Sequence, residues 1–211
     1  GAPKMPKKNP KVVVIGGGTG TYQVLVGLKK YPVDLSAIVS MSDSGGSSGK
    51  LREELGILPP GDARRALLAL SDLPLAKKTL ASLFSYRFNN GPSVNSGLAG
   101  HSMGNLLLAA LTQITGRTDL AMAEAGKILE TAGQVLPVTL GHTHLHGVLA
   151  DGTVVHGEAN IDVRRIKPQV PLKEVFLDPS AKIFSGACEA IGKADLIILA
   201  PGDLYTSLVP N

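Results

Sequence analysis

The residues best equipped for chemistry in this chain lie in short loops rich in glycine, serine and aspartate. Gly16–Gly20 reads Gly-Gly-Gly-Thr-Gly between an apolar run and a helical pattern. Lacking Cβ atoms, Gly17, Gly18 and Gly20 let backbone N–H groups around Thr19 approach an anion, and the positive end of the following helix favours phosphate. The dinucleotide fingerprint fails in detail, because Thr21 stands where a third glycine or alanine is required. A tight turn without a ligand is the plainer alternative, but three consecutive glycines exceed what a turn requires.

Ser42–Lys50 imitates a phosphate loop, yet Ser44 and Leu51 occupy the positions that need glycine and a magnesium-holding hydroxyl. What remains is a dense set of small donors, Ser44, Gly45, Gly46 and Ser47. Beside them stands an acid, Asp43, placed toward a ribose or a metal. Asp62 follows Pro59-Pro60-Gly61 and is expected to cap the next helix, with a ligand or metal contact as the alternative. Arg64 and Arg65 can meet phosphates. Gly100–Gly104 matches the Gly-x-Ser-x-Gly nucleophile elbow, but that elbow needs a strand directly before the serine, and here a loop precedes it. Hydrolase chemistry is therefore set aside. His101, Ser102 and Asn105 are read instead as ligand-facing groups at a helix start, with Ser102 as N-cap. A third loop, Pro201-Gly202-Asp203, opens a final helix and adds Tyr205 and Thr206 to the candidate site. His142, His144 and His146 alternate along one expected strand with His156 facing them. Cβ atoms two apart on a strand are about 7 Å apart, long for one ion, so solvated histidines are preferred to a zinc site.

These loops need elements to hold them. Lys11–Ile15 reads as a buried parallel strand, Val33–Ser40 and Leu196–Ala200 as further parallel strands, and the first two with the helix between them make a βαβ unit. Helical patterns cover Tyr22–Lys30, Lys50–Leu55, Asp62–Ser71, Leu75–Phe84, Met103–Ile114, Asp119–Glu130 and Ala181–Lys193, and Asn89–Gly100 is a break. Asp151-Gly152 turns a hairpin spanning Val138–Glu158, expected to extend the sheet with antiparallel strands. The predicted fold is α/β: a Rossmann-like parallel sheet with helices on both faces and an added antiparallel hairpin. Ligands of such sheets bind at the carboxyl ends of the strands, where all the motif loops should gather.

Composition narrows the function classes. Hydrophobic residues make up 44% and charged residues 18% of 211, which excludes disorder as the main state. The formal charge of +4 owes much to Lys4, Lys7 and Lys8 in a leader, Gly1–Pro10, read as flexible or a scar of expression. Without them the chain is nearly balanced, and aromatics at 4% leave few stacking platforms, so nucleic acid is not an expected partner. No apolar run is long enough for a membrane helix. The single cysteine, Cys188, suits a reducing compartment, and a cytoplasmic location is expected. Residues 11–211 read as one nucleotide-binding domain, and the end at Asn211, one turn into a helix, reads as a C-terminal truncation.

The motifs together resemble the YvcK/CofD-like family. The resemblance rests on GGGTG (Gly16–Gly20), the run Ser42–Ser71, HSMGNLLLAAL (His101–Leu111), GEANI (Gly157–Ile161) and PGDLYTSLVPN (Pro201–Asn211). It implies proteins that bind UDP-sugars, notably UDP-N-acetylglucosamine, and act in gluconeogenic growth, cell-wall synthesis and cell shape. The other branch implies a magnesium-dependent transferase of the 2-phospho-L-lactate type. A non-catalytic binding protein is favoured, with no certain cofactor and a homo-oligomeric state; Asp43 and Asp62 are the possible magnesium ligands. The implied ligand residues are Gly17 to Gly20, Asp43 to Ser47, Asp62, His101, Ser102, Asn105, Gly202, Asp203, Tyr205 and Thr206.

Overall fold

A computed structural model describes residues 8–74, 77–89, 97–163 and 170–211. Most of the leader, most of the break at 89–100, and 75 and 76 at the expected start of the fourth helix lie outside those residues.

The strands β1 (Lys11–Gly16) and β2 (Asp34–Val39) flank helix α1 (Gly18–Leu28) and pair in parallel, Val12 opposite Leu35 and Ile15 opposite Ile38. Next come α2 (Gly46–Leu55), α3 (Gly61–Leu70), α4 (Lys78–Ser85), α5 (Met103–Thr115) and α6 (Thr118–Ile128). The chain then returns to the sheet as β3 (Gly133–Pro137), parallel to β2. After the hairpin β4 (His144–Leu149) and β5 (Val154–His156) follow α7 (Glu158–Val163), β6 (Leu172–Asp178), α8 (Ser185–Gly192) and β7 (Leu196–Leu199). The parallel sheet is four-stranded in the order β3-β2-β1-β7.

Alternation along β1 and β2 divides the core. Val12, Val14, Leu35, Ala37 and Val39 face a cluster with Leu25 of α1 and Leu67 and Leu70 of α3. Val13 and Ile38 face the opposite side, against Ala187 and Ile191 of α8. Each fully buried valine, leucine or isoleucine among them contributes about 1.5–3 kcal/mol, and burial on both faces is why these strands are continuously apolar.

Three expectations need correction. The hairpin turns at Asp151-Gly152 as expected, with Gly152 at φ +84° and Asp151 accepting from the Thr153 N–H. It does not extend the parallel sheet, however; it pairs with β6 as a separate antiparallel sheet in the order β5-β4-β6. β6 and β3 were not expected as strands: Leu172–Asp178 places two adjacent charges, Lys173 and Glu174, near its start and ends in Asp178, and Gly133–Pro137 is short and ends in proline. Finally, α2 begins at Gly46, so Ser47 and Ser48 belong to a first helical turn rather than to a loop.

Candidate functional site

Five segments meet at the carboxyl ends of the parallel strands: the heads of α1, α2, α3 and α5, and the loop after β7. Gly17 is extended, φ −144°, and no side chain caps α1 from within. The cap arrives from a distance of 44 residues, where Asp62 Oδ1 accepts the Gly18 N–H at 3.0 Å. A Cβ on Gly17 would stand 2.5 Å from the other Asp62 oxygen, so this glycine is what admits the carboxylate. Asp62 was expected to cap its own helix. It does not: Pro60 occupies that position, α3 has no side-chain cap, and the carboxylate is turned to the neighbouring helix instead.

Asp43 completes the acidic part of the site. Its Oδ1 accepts the Gly45 N–H at 2.9 Å, closing the turn before α2. Its Oδ2 lies 2.6 Å from where a Gly61 Cβ would be, next to the Ser48 hydroxyl. Burial and the nearby Asp43 charge push the Asp62 carboxyl above the usual aspartate range, against the opposing pull of the Gly18 N–H and Arg65. Arg65 Nη1 is 3.3 Å from Asp62 Oδ1. Asp203 stands apart: it is exposed and accepts the Tyr205 N–H at 3.1 Å, capping the turn Leu204–Leu208. The three aspartates therefore do not converge, and no cluster of three or more metal-ligating side chains occurs among the described residues.

A buried polar chain joins α2, α3 and α5. Arg64 Nε donates to Asn105 Oδ1 at 2.9 Å, Asn105 Nδ2 donates to Ser47 Oγ at 3.0 Å, and Ser47 Oγ lies 3.0 Å from His101 Nδ1. The Ser47 oxygen, with one proton and two lone pairs, accepts from Asn105 and makes its second contact with the imidazole. Burial, with Arg65 and Arg87 adding to it, pulls the Arg64 guanidinium down to about 10. Ser102 is wholly enclosed, and its hydroxyl accepts the Asn105 N–H at 3.2 Å as the N-cap of α5. Its backbone, φ −92° and ψ 142°, is ordinary extended chain without the strain of a nucleophile elbow.

Sequence reasoning missed several participants. Arg52 is buried on α2, donates through Nη2 to the Thr143 carbonyl, and keeps Nη1 enclosed without a partner, as is Ser44 Oγ. Its signal was its place four residues after Ser48, on the same helix face. Tyr22 and Tyr86 were also missed. With Thr19, Arg64 and Arg65 they line a cavity of about 670 Å³ between α1, α3 and α4. Gly202 closes the ring of loops, where a Cβ would lie 3.8 Å from the Gly17 carbonyl oxygen. Thr206 is buried beneath it, and Tyr205 is exposed.

The hairpin histidines lie outside the polar chain that His101 joins. His142 precedes β4, while His144 and His146 lie on it, and His146 pairs with His156 of β5.

Comparison with known proteins places these features in a family. Residues 12–211 match the family described as 2-phospho-L-lactate transferase CofD. A gluconeogenesis factor of Halalkalibacterium halodurans is 49% identical over 208 residues, which is 98% of this chain and 61% of that protein. The gluconeogenesis factor of Bacillus subtilis is 47% identical over 206 residues, 97% of this chain and 61% of that one. A crystal structure of a UPF0052 family member from Bacillus halodurans superimposes with a TM-score of 0.88 at 47% identity, covering 97% of this chain and 63% of the other. This chain thus spans about three fifths of the length of those relatives.

Proposed function

This chain belongs to the CofD family, and from that premise we propose that it is a nucleotide-diphosphate-binding regulator of the gluconeogenesis-factor type. The ligand is a UDP-sugar, with UDP-N-acetylglucosamine the first choice, and the role links gluconeogenic growth to cell-wall synthesis and cell shape. It acts in the cytoplasm as a homo-oligomer. The observation that carries this reading is the meeting of the heads of α1, α2 and α5 with the Gly202 loop at the carboxyl edge of one parallel sheet. Each helix start carries about half a positive charge and unpaired N–H groups, and a diphosphate answers several at once. The Gly18 N–H is held by Asp62, so the remaining first-turn amides at Thr19 and Gly20 serve the phosphates. Arg64 and Arg65 supply cationic walls, and the adjoining cavity falls within the usual range for small-molecule sites.

A second reading, a magnesium-dependent transferase, is favoured by the closeness of Asp43 to Asp62. Magnesium takes one or two carboxylates and completes its shell with water and phosphate, and Asp43 and Asp62 would hold it; there it would neutralise charge developing on a transferred phosphate group. No helix among the described residues is long and apolar enough to cross a membrane. Calorimetric titration with UDP-N-acetylglucosamine, NAD and GTP, each with and without magnesium, tests both readings. Heat with the UDP-sugar that is independent of magnesium supports the regulator. Binding that requires magnesium and is lost in Asp43→Asn favours the transferase. Absence of heat with every nucleotide, using a protein of the relatives' full length, refutes nucleotide binding.

A further inference from the structure

The outer face of the antiparallel sheet carries a second arrangement, made of side chains outside the polar chain described above, although Gly157, next to His156, approaches Ser44. His146 on β4 is the register partner of His156 on β5 and of Phe176 on β6. The two imidazoles meet through their Nδ1 atoms at 2.7 Å, with ring centroids 4.7 Å apart and planes at 90°. Phe176 stacks on the other side of His146, centroids 5.3 Å apart and planes at 19°, and holds that ring in place. Two nitrogens facing at this distance share a single proton: one donates and the other accepts.

We propose that this pair is a binding site for a divalent transition ion of the zinc, nickel and copper class. Imidazole nitrogens suit those ions and not magnesium or calcium, which require oxygen. With metal–nitrogen bonds of about 2.0–2.1 Å, a tetrahedral centre separates two ligand nitrogens by about 3.3 Å. The pair therefore has to open by about 0.6 Å, a small displacement for the exposed ring of His156 at the end of a short strand. When the ring that donates the shared proton moves it to its own Nε2, both rings stay neutral and both Nδ1 lone pairs are free for the ion. His144 is two residues along β4, opposite Asp178, about 7 Å from His146 and out of reach of the same ion. Two histidines and water thus make up the coordination, and the bound ion ties β5 to β4. This site does not depend on the nucleotide-binding proposal, and either can fail without the other.

The test is a calorimetric titration of the whole chain with zinc and with nickel at pH 7.5, in a Cys188→Ser background so that the exposed thiol contributes nothing. The expected result is saturable one-to-one binding, weakened in His146→Gln and in His156→Gln by more than the roughly tenfold that even an outer-shell change costs. His142→Gln and His144→Gln should bind as the parent does, and magnesium should give no heat. Thermal melts supply the second measurement: zinc should raise the parent's midpoint and leave that of His156→Gln unmoved. Circular dichroism checks that the variants are folded, and His156→Gln, at an exposed strand end, is the one least able to disturb the fold. No saturable heat with either ion, or binding that survives loss of His146 or His156, overturns the proposal.

Discussion

Adding a methyl group at two glycines of the same helix should have opposite consequences. At Gly20, a Cβ would overlap the Pro201 carbonyl oxygen and stand 2.7 Å from its carbon, so backbone must move. At Gly27, near the other end of α1, a Cβ would meet nothing within 4 Å. Alanine gains about 1 kcal/mol over glycine inside a helix, at either position. Overpacking against backbone costs about 3 kcal/mol at Gly20, leaving a net loss of about 2 kcal/mol. For a chain of this size each kcal/mol moves the melting midpoint by about 2–4 °C. Gly20→Ala should therefore lower the midpoint by about 4–8 °C, while Gly27→Ala raises it by about 2–4 °C. Differential scanning calorimetry on both variants reads this directly. The Gly20 substitution should also weaken nucleotide binding, since it parts the head of α1 from the Gly202 loop. A Gly20→Ala protein as stable as its parent, or shifted in the same direction as Gly27→Ala, would refute the close approach of these two loops.

Two further outcomes follow from the site. Burial and Asp43 raise the Asp62 carboxyl in the folded protein, so the folded state holds this proton more tightly than the unfolded chain does. The stability it contributes is whole below the ordinary aspartate value of about 3.9 and is lost as pH rises through the raised folded value. Asp62→Asn removes that loss while keeping an acceptor for the Gly18 N–H; its melting midpoint relative to the parent should climb between pH 4 and pH 8, and a relative midpoint that falls with pH would show the sign to be wrong. Ser102→Ala should cost about 1 kcal/mol, read as a shifted urea midpoint at unchanged slope, because the hydroxyl caps α5. Labelling of Ser102 by a fluorophosphonate probe would contradict that structural role.

Much of this architecture is encoded locally. The apolar runs of β1, β2 and β7, the glycines after β1, the Asp-Gly turn and the Ser102 cap all depend on residues within a few positions of one another. Period, capping and turn chemistry are short-range properties, and they are legible from order alone. The heads of α1 and α5 were located this way to within a few residues.

What the order of residues left open was which loops would meet. Gly133–Pro137 becomes a strand because β2 offers it a parallel edge, not because Gly-Gln-Val-Leu-Pro favours extension. Leu172–Asp178 is extended because β4 pairs with it, and that pairing draws the hairpin away from the parallel sheet. Asp62 looked like the cap of its own helix, since a carboxylate beside a helix start has nearby N–H groups to satisfy. The folded chain instead brings Gly18, 44 residues earlier, within 3.0 Å, and the space left by Gly17 lets the carboxylate reach it. Ser47 finds Asn105 and His101 across more than 50 positions for the same reason. A hydrogen-bonding group in a buried site takes the partner that packing delivers, and packing is a property of the whole sheet and its crossovers rather than of any segment.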